Sequence, residues 1–377
     1  MIPSQKHLFN IPEEITYLNC AYLSPQLRSV TEAGLNAVSS KETPWLLTPP
    51  DFFTLTEKTR SLFAKLIDAR ADDIAIIPAA SYGVSVAALN VKLEANQAVV
   101  VLEDQFPSNV YPWRERVKER GAKLKTVTRP PDDDWTAALL DHIDENTAVV
   151  AVAGCRWTDG CIIDLVKLGQ RCREINAALV IDATQSLGAL PFSVSEVQPD
   201  FLIAASYKWL LGPYSLGFIY VDPVYHEGVP LEHNWINRKQ SEDFAGLVNY
   251  RDDFQTGARR FDVGERSNFA LMPMAFAALR QILEWQVPET AATLAALTGE
   301  IARRAADFGL NVAPAHLRAG HLLGIRFPEG VPDELIDRLA QNKIYVSVRG
   351  NSIRISPHLY NTKADIEKLF STLAVSL

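Results

Sequence analysis

Short apolar runs alternate with amphipathic segments through the first two thirds of the chain. Six runs predict strands, at 74–77, 98–102, 148–153, 178–181, 201–205 and 216–221, and the periodic segments 55–67, 84–91, 113–120 and 165–176 predict helices. Continuous Val, Ile and Ala runs are typical of strands that are covered on both faces. The pattern therefore predicts an α/β fold, a mostly parallel sheet wrapped by helices, with ligands at the carboxyl ends of the strands.

The last two fifths of the chain have a different pattern. Residues 225–264 are polar and aromatic with little periodicity, which predicts a long excursion near the site. A helix at 273–285 then leads to further helices at 291–308 and 363–373 and to strands at 322–327, 345–348 and 352–355. We expect three parts: a segment 1–20 that packs with the small domain, a large domain 21–272, and a small C-terminal α+β domain 273–377.

Composition narrows the class of protein. The 377 residues are 47% hydrophobic and 22% charged, with a net charge of −8, so a basic surface for nucleic acid is not expected. No apolar run approaches the roughly 20 residues that cross a bilayer, and no signal segment is recognisable, so we expect a cytoplasmic protein without membrane contact. Four cysteines without CxxC spacing suggest neither a metal site nor a disulfide framework.

Two charged residues follow neighbouring predicted strands. Asp182 ends one apolar run, and Lys208 comes just after the next. An aspartate at that place can simply cap a helix. A lysine leaving an apolar strand is harder to explain as a surface charge, because burial penalises its ammonium form. An amine that forms an imine and an acid beside a pyridine nitrogen are the two groups that pyridoxal 5'-phosphate (PLP) needs, so the pair predicts a PLP site.

Four stretches carry a resemblance to a known family. They are EDQFPSNVYPW (103–113), DATQSLG (182–188), SYKWLLGPYSLGFIYV (206–221) and SIRISPHLYNT (352–362). With these motifs in this order, the chain resembles the class V aminotransferase family of fold-type I PLP enzymes, whose members include cysteine desulfurases, kynureninase and isopenicillin N epimerase. The resemblance implies a large domain with a seven-stranded sheet, a homodimer with shared active sites, an amino acid substrate and a keto-acid acceptor.

The resemblance also implies roles for single residues. Lys208 would hold PLP as a Schiff base and act in catalysis with Asp182, the partner of the pyridine nitrogen. Gln185 would donate to the phenolic oxygen of the ring, and Phe106 would stack on its face. Asn109, in the same loop as Phe106, would contact substrate. Phe106 alone would more simply be a core residue, and Gln185 alone a surface residue of a helix.

Further implied contacts concern phosphate, the cofactor's oxygen and the substrate carboxylate. Ala80 and Ser81 would bind phosphate at the start of a helix, together with Tyr207, although small residues also begin ordinary helices. Thr158 would approach the cofactor or substrate, or would only shape a turn before Gly160. Arg354 would bind the α-carboxylate through its planar fork; outside the motif it would be an ordinary edge residue.

The chain departs from its relatives at two places. Ala205 stands where many desulfurases have a serine, so Ser206 or a partner subunit would complete the phosphate site. Gly264 and Glu265 stand where relatives often have Gly-Thr, which leaves Arg266 or Ser267 for a contact with the neighbouring subunit, or a segment that only shapes the entrance.

The reaction is less defined than the family. The substrate side chain is not readable from the candidate pocket residues Tyr22, Trp157, Trp235, Asn237, Arg238 and His358. No cysteine follows Cys172, so a desulfurase with a cysteine loop before Arg354 is not expected. Transamination makes the fewest demands and is our first expectation; a β-lyase of the carbon-sulfur type or an epimerase are the alternatives.

Overall fold

The central feature of the computed structural model, which describes residues 1–327 and 329–374, is a seven-stranded sheet. Its strands, in the spatial order β2-β8-β7-β6-β5-β3-β4, are β2 Ile74–Ile77, β8 Gly217–Val221, β7 Phe201–Ala205, β6 Ala178–Asp182, β5 Thr147–Ala153, β3 Ala98–Leu102 and β4 Lys123–Val127. Only β8 runs antiparallel to its neighbours. The predicted α/β class and mostly parallel sheet are confirmed.

Helices cover both faces of this sheet. They are α1 Arg28–Ser40, α2 Thr54–Leu66, α3 Ala80–Asn90, α4 Tyr111–Arg120, α5 Trp135–His142, α6 Leu165–Ile175, α7 Val194–Val197 and α8 Leu271–Trp285. Phe63 of α2 and Leu168 of α6 pack on one face, and Val84 of α3 and Trp113 of α4 pack on the other. Because both faces are covered, every residue of β3, β6, β7 and β8 is buried.

A smaller unit follows α8. It contains helices α9 Val287–Asp307, α10 Asp333–Gln341 and α11 Lys363–Leu373, and strands β9 Leu323–Arg326, β10 Ile344–Tyr345, β11 Ser347–Arg349 and β12 Ser352–Ile355. β9, β12 and β11 form an antiparallel sheet, and a short strand near the chain start, β1 Thr16–Tyr17, pairs in parallel with β10. Residues 16–17 therefore lie against the small unit.

Several elements lack a clear signal in the sequence. Strand β4 carries polar residues at Lys123, Lys125 and Thr126, because it is the sheet edge and only Val127 is fully buried.

The excursion at 225–264 has only 3-10 turns and short bridges among its described elements, as its weak periodicity predicts. No helix of the described ranges has the length and apolar character that crossing a membrane requires.

Candidate active site

The carboxyl ends of β5, β6 and β7 meet above a cavity of about 240 Å3. Ala153 pairs with Asp182, and Asp182 pairs with Ile203, so the ends of the three strands lie side by side. Its wall contains eight of the ten predicted site residues: Ala80, Ser81, Phe106, Asn109, Asp182, Gln185, Tyr207 and Lys208. Strand order alone brings together residues that lie more than a hundred positions apart in the chain.

Lys208 is the central amine of this cavity. Its side chain is 7% exposed, and its Nζ lies 5.4 Å from the ring centre of Phe106 and 5.6 Å from that of Tyr207. Burial lowers the pKa of Lys208 to about 8; Asp182 opposes the shift, and the positive charge of Arg354 adds to it. About a tenth of the amine is therefore neutral at pH 7, far more than for an ordinary lysine, and the neutral form is the one that a nucleophile requires.

Asp182 is buried at the end of β6. Its Oδ1 accepts a hydrogen bond from the backbone N–H of Thr184 at 3.0 Å, which holds the carboxylate in place. Within residues 1–327 and 329–374, no lysine, arginine or histidine forms an ion pair with Asp182. Its negative charge is thus available to a cationic group of a bound molecule, which is what the pyridine nitrogen of PLP presents.

The amide of Gln185 has a defined orientation. The indole N–H of Trp209 donates to its Oε1 at 2.9 Å, and its Nε2 donates to the carbonyl oxygen of Ala21 at 3.0 Å. Because an indole nitrogen can only donate, Trp209 fixes which end of the amide is oxygen. One hydrogen of Nε2 remains for a ligand, which fits the predicted contact with a phenolic oxygen.

A buried histidine, His321, forms a hydrogen bond with the backbone of Gln185. His321 Nε2 donates to the backbone oxygen of Gln185, and the imidazole packs edge-on against Trp209 at 4.4 Å between ring centres. Burial lowers the pKa of His321 to about 4 and that of His358, which also lies beside Trp209, to about 3. Both rings are therefore neutral, and neither lines the cavity.

Asn109 and Phe106 line the cavity from the segment between β3 and α4. Asn109 is fully buried, yet neither its Nδ2 nor its Oδ1 has a hydrogen-bond partner among the described residues. Phe106 contacts Trp157 edge-to-face, with ring centres 5.5 Å apart. Since buried amides are almost always hydrogen-bonded, the orphaned amide of Asn109 fits a polar ligand in the cavity.

The first turn of α3 also faces this space. The backbone N–H groups of Ala80 and Ser81 have no acceptor within the helix, as at any helix N-terminus, and both residues line the cavity. Tyr207 lies against Tyr214 with ring centres 4.5 Å apart. The hydroxyl of Ser206 is already committed, because it donates to the carbonyl oxygen of Pro213.

Arg354 lies outside the cavity wall but close behind it. Its side chain is 1% exposed, Nη1 donates to the carbonyl oxygen of Trp157 at 2.7 Å, and Nε and Nη2 have no partner among the described residues. Burial lowers its pKa to about 9, and the neighbouring charge of Arg349 contributes. A buried guanidinium with two free donor groups fits a carboxylate ligand.

Like Arg354, the predicted residues Thr158 and Arg266 do not line this cavity, and neither do the candidate pocket residues Tyr22, Trp235, Asn237, Arg238 and His358. Thr158 accepts a hydrogen bond from Arg156 Nη2 at 3.3 Å and lines an adjacent cavity of about 840 Å3, so its contact with the cofactor stays a prediction. Arg266 is buried against Asp262 and donates to Gln255 at 3.1 Å within its own chain.

Cys155 is a wall residue that the sequence reasoning missed. It follows β5 by two residues, so the strand-end rule that found Asp182 could have found it. Burial raises the pKa of its thiol, and the negative form is disfavoured. Cys20 is buried next to Tyr360 and is not in the wall.

A mostly parallel sheet with a buried lysine at its carboxyl edge, and with an aspartate there that has no ion pair among the described residues, fits PLP, as do the free donors of Asn109, Gln185 and α3. The family model for class-V aminotransferases matches residues 50–369, and the chain belongs to this family. It is a class V PLP-dependent enzyme of fold-type I, and its cofactor is PLP.

Two relatives and one solved structure illustrate the similarity. The uncharacterized aminotransferase YcbU of Bacillus subtilis is 28% identical over 325 residues, 85% of this chain and 83% of the relative. A probable cysteine desulfurase of Mycoplasma genitalium is 28% identical over 171 residues, 44% of this chain and 42% of the relative. The cystine C-S lyase C-DES, solved with cysteine persulfide, superposes with a TM-score of 0.84 at 17% identity, covering 96% of this chain and 98% of the other.

Proposed function

We propose that this chain is an aminotransferase that acts on an α-amino acid, with Lys208 as the group that moves the proton. The observation that carries the proposal is the composition of the cavity wall. Among residues 1–327 and 329–374, its wall holds no histidine and no second lysine, so Lys208 is the only amine or imidazole that can act there. Transamination needs one such group, whereas epimerisation needs a second acid on the opposite face.

The remaining residues bind and orient. When bound, PLP withdraws electrons from the α-carbon of the substrate, which weakens its C–H bond. With PLP bound, Arg354 would bind the α-carboxylate, Asp182 would hold the proton on the pyridine nitrogen, and Gln185 Nε2 would donate to the phenolic oxygen. Phe106 would pack against the ring, and Lys208 Nζ would accept the α-proton and deliver it in the transfer.

A desulfurase route is disfavoured by the state of the one cysteine in the wall. Persulfide formation needs a thiolate that attacks the sulfur of the substrate. Burial raises the pKa of Cys155, so this residue stays a thiol, and no cysteine follows Cys172 in the sequence. Cys155→Ser should leave turnover within about a factor of two, because the thiol has no part in the proposed reaction.

The test is a half-reaction. Holoenzyme is mixed with an amino donor and no acceptor, and the cofactor is then extracted and separated. Recovery of pyridoxamine 5'-phosphate in the wild type and in Cys155→Ser, reversed by a keto acid, supports amino-group transfer. Unchanged PLP together with pyruvate and ammonia from cystine or serine would replace the proposal with a β-lyase.

We further propose a cytoplasmic homodimer. Large apolar side chains are exposed beside the cavity and along the excursion, with Tyr214 66% and Tyr250 95% exposed. Patches of this kind are common at protein–protein contacts. Light scattering after size-exclusion chromatography should give twice the chain mass of 41.8 kDa, and a mass of one chain would contradict the dimer. Fractionation of source cells tests the location.

A further inference from the structure

The side chain of a second arginine, Arg349, lies on the same face of the small sheet as that of Arg354. Strands β11 and β12 pair so that Ser347 lies opposite Arg354 and Arg349 lies opposite Ser352. Arg349 is therefore the diagonal neighbour of Arg354, and diagonal neighbours on one face of an antiparallel pair are about 7–8 Å apart. The two guanidinium groups are close enough for one small molecule to contact both.

Arg349 also lies next to the cavity of Lys208. Its Cζ is 5.2 Å from the ring centre of Trp157, and that ring contacts Phe106. Trp157 lines both the Lys208 cavity and the adjacent cavity of about 840 Å3, and Arg349 lines the latter. The guanidinium of Arg349 thus contacts Trp157, and Trp157 itself lines the proposed active site.

Neither arginine has an anionic partner in the described parts of the chain. Arg349 Nη1 donates to the carbonyl oxygen of Val348 at 2.7 Å, and its Nε is buried without a partner. The other three arginines around the adjacent cavity are paired: Arg129 and Arg326 both reach Asp133, at 2.9 and 2.8 Å, and Arg156 lies 3.7 Å from Asp159. Two neighbouring guanidinium groups without anionic partners repel each other. A bound molecule with two negative groups would offset this electrostatic repulsion.

We propose that the substrate is an amino acid with a second carboxylate, held with its α-carboxylate on Arg354 and its side-chain carboxylate on Arg349. The proposal rests on the proposed function, since it names the substrate class of the same site. A neutral side chain would leave the half-buried guanidinium of Arg349 beside Trp157 without an anionic partner, which disfavours such substrates.

Binding without turnover tests this directly. Calorimetric titration of the holoenzyme should give a Kd for succinate or glutarate about 10- to 100-fold lower than for propionate or butyrate, the range of a hydrogen bond to a charged group. Arg349→Gln should abolish that preference. The matched control is Arg303→Gln, an arginine on α9 that pairs with Glu300 at the surface, and it should retain the preference. Equal affinities in the wild type, or a preference that survives Arg349→Gln, would overturn the proposal.

Kinetics separate this inference from the reaction type. In amino-group exchange, Arg349→Gln should raise KM for aspartate or glutamate by about 10- to 100-fold, and the ratio of kcat/KM for these substrates to kcat/KM for alanine should fall by at least the same factor. Arg349→Lys retains the charge but not the planar fork, so it should recover part of the loss. If no amino acid exchanges, the proposed aminotransferase activity fails, while the calorimetric preference still decides the role of Arg349.

Discussion

The indole N–H of Trp209 donates a 2.9 Å hydrogen bond to Oε1 of Gln185, inside a cluster that His321 and Ala21 complete. The bond lies behind the cavity wall, where Trp209 itself does not line the space. Trp209 is therefore a positioning residue: it determines that Gln185 presents a donor, not an acceptor, toward a ligand.

Trp209→Phe keeps the aromatic ring and removes the donor. The amide of Gln185 then loses its fixed orientation, so we expect a shifted visible absorption band of the holoenzyme and a loss of roughly 1–3 kcal/mol in unfolding free energy, because Oε1 is left unpaired. Trp113→Phe is the control, since Trp113 is fully buried and its indole nitrogen has no partner among the described residues. Identical spectra for both variants would contradict the positioning role.

Arg354→Ala should weaken amino-acid binding far more than cofactor binding. A charged contact that is lost while its partner stays desolvated costs on the order of 2–5 kcal/mol, so KM should rise by at least tenfold. PLP affinity, measured by equilibrium dialysis of the apoprotein, should stay within about threefold. An equal loss of affinity for substrate and cofactor would show that Arg354 is structural.

The pKa of Lys208 predicts a pH dependence of cofactor capture. Burial lowers this pKa to about 8 from the usual 10.5, and only the neutral amine attacks the aldehyde. The rate at which the apoprotein binds PLP covalently should therefore rise through pH 8 and level off above it. The shift has a stability consequence as well. Since the unfolded chain holds this proton up to pH 10.5, the stability of the apoprotein gains from Lys208 as pH rises from about 8 to 10.5. A capture rate that is flat between pH 7 and 9 would contradict the shifted pKa.

Asp262 anchors the segment before α8 to helix α2 and strand β2. Its carboxylate accepts from Arg60 at 2.8 and 3.0 Å, from Arg266 and from the backbone N–H of Ile76, all of them buried. Asp262→Ala leaves the buried guanidinium of Arg266 without a carboxylate partner and leaves that of Arg60 with Glu57 alone, and we expect a loss of about 3–5 kcal/mol in urea unfolding.

The control for this variant is an exposed ion pair. Asp253 pairs with Lys239 at 3.2 Å and its side chain is 74% exposed, so Asp253→Ala should cost no more than about 1 kcal/mol. Similar losses for the two variants would contradict an anchoring role for Asp262.

Local patterns were sufficient for the part of the site that one sheet positions. Asp182 and Lys208 follow buried strands, and residues at the ends of neighbouring parallel strands must converge, so their meeting could be predicted. Edge strand β4 was missed because partial exposure removes the apolar run on which the prediction depends.

Contacts between distant segments could not be predicted in the same way. The orientation of Gln185 depends on Ala21 and on His321, more than a hundred residues away on either side, and no local pattern encodes those pairings. The relation of Arg349 to Trp157 likewise depends on how the small sheet packs against the loop after β5.

The most direct measurement of the central assignment is to identify the lysine that carries PLP. Sodium borohydride reduces the imine between a lysine and the cofactor's aldehyde to a stable secondary amine. Peptide mass spectrometry then identifies the modified lysine. We expect the added mass on the peptide that contains Lys208, with none in the Lys208→Ala protein. Added mass on a different lysine of the wild type, with Lys208 unmodified, would contradict the account.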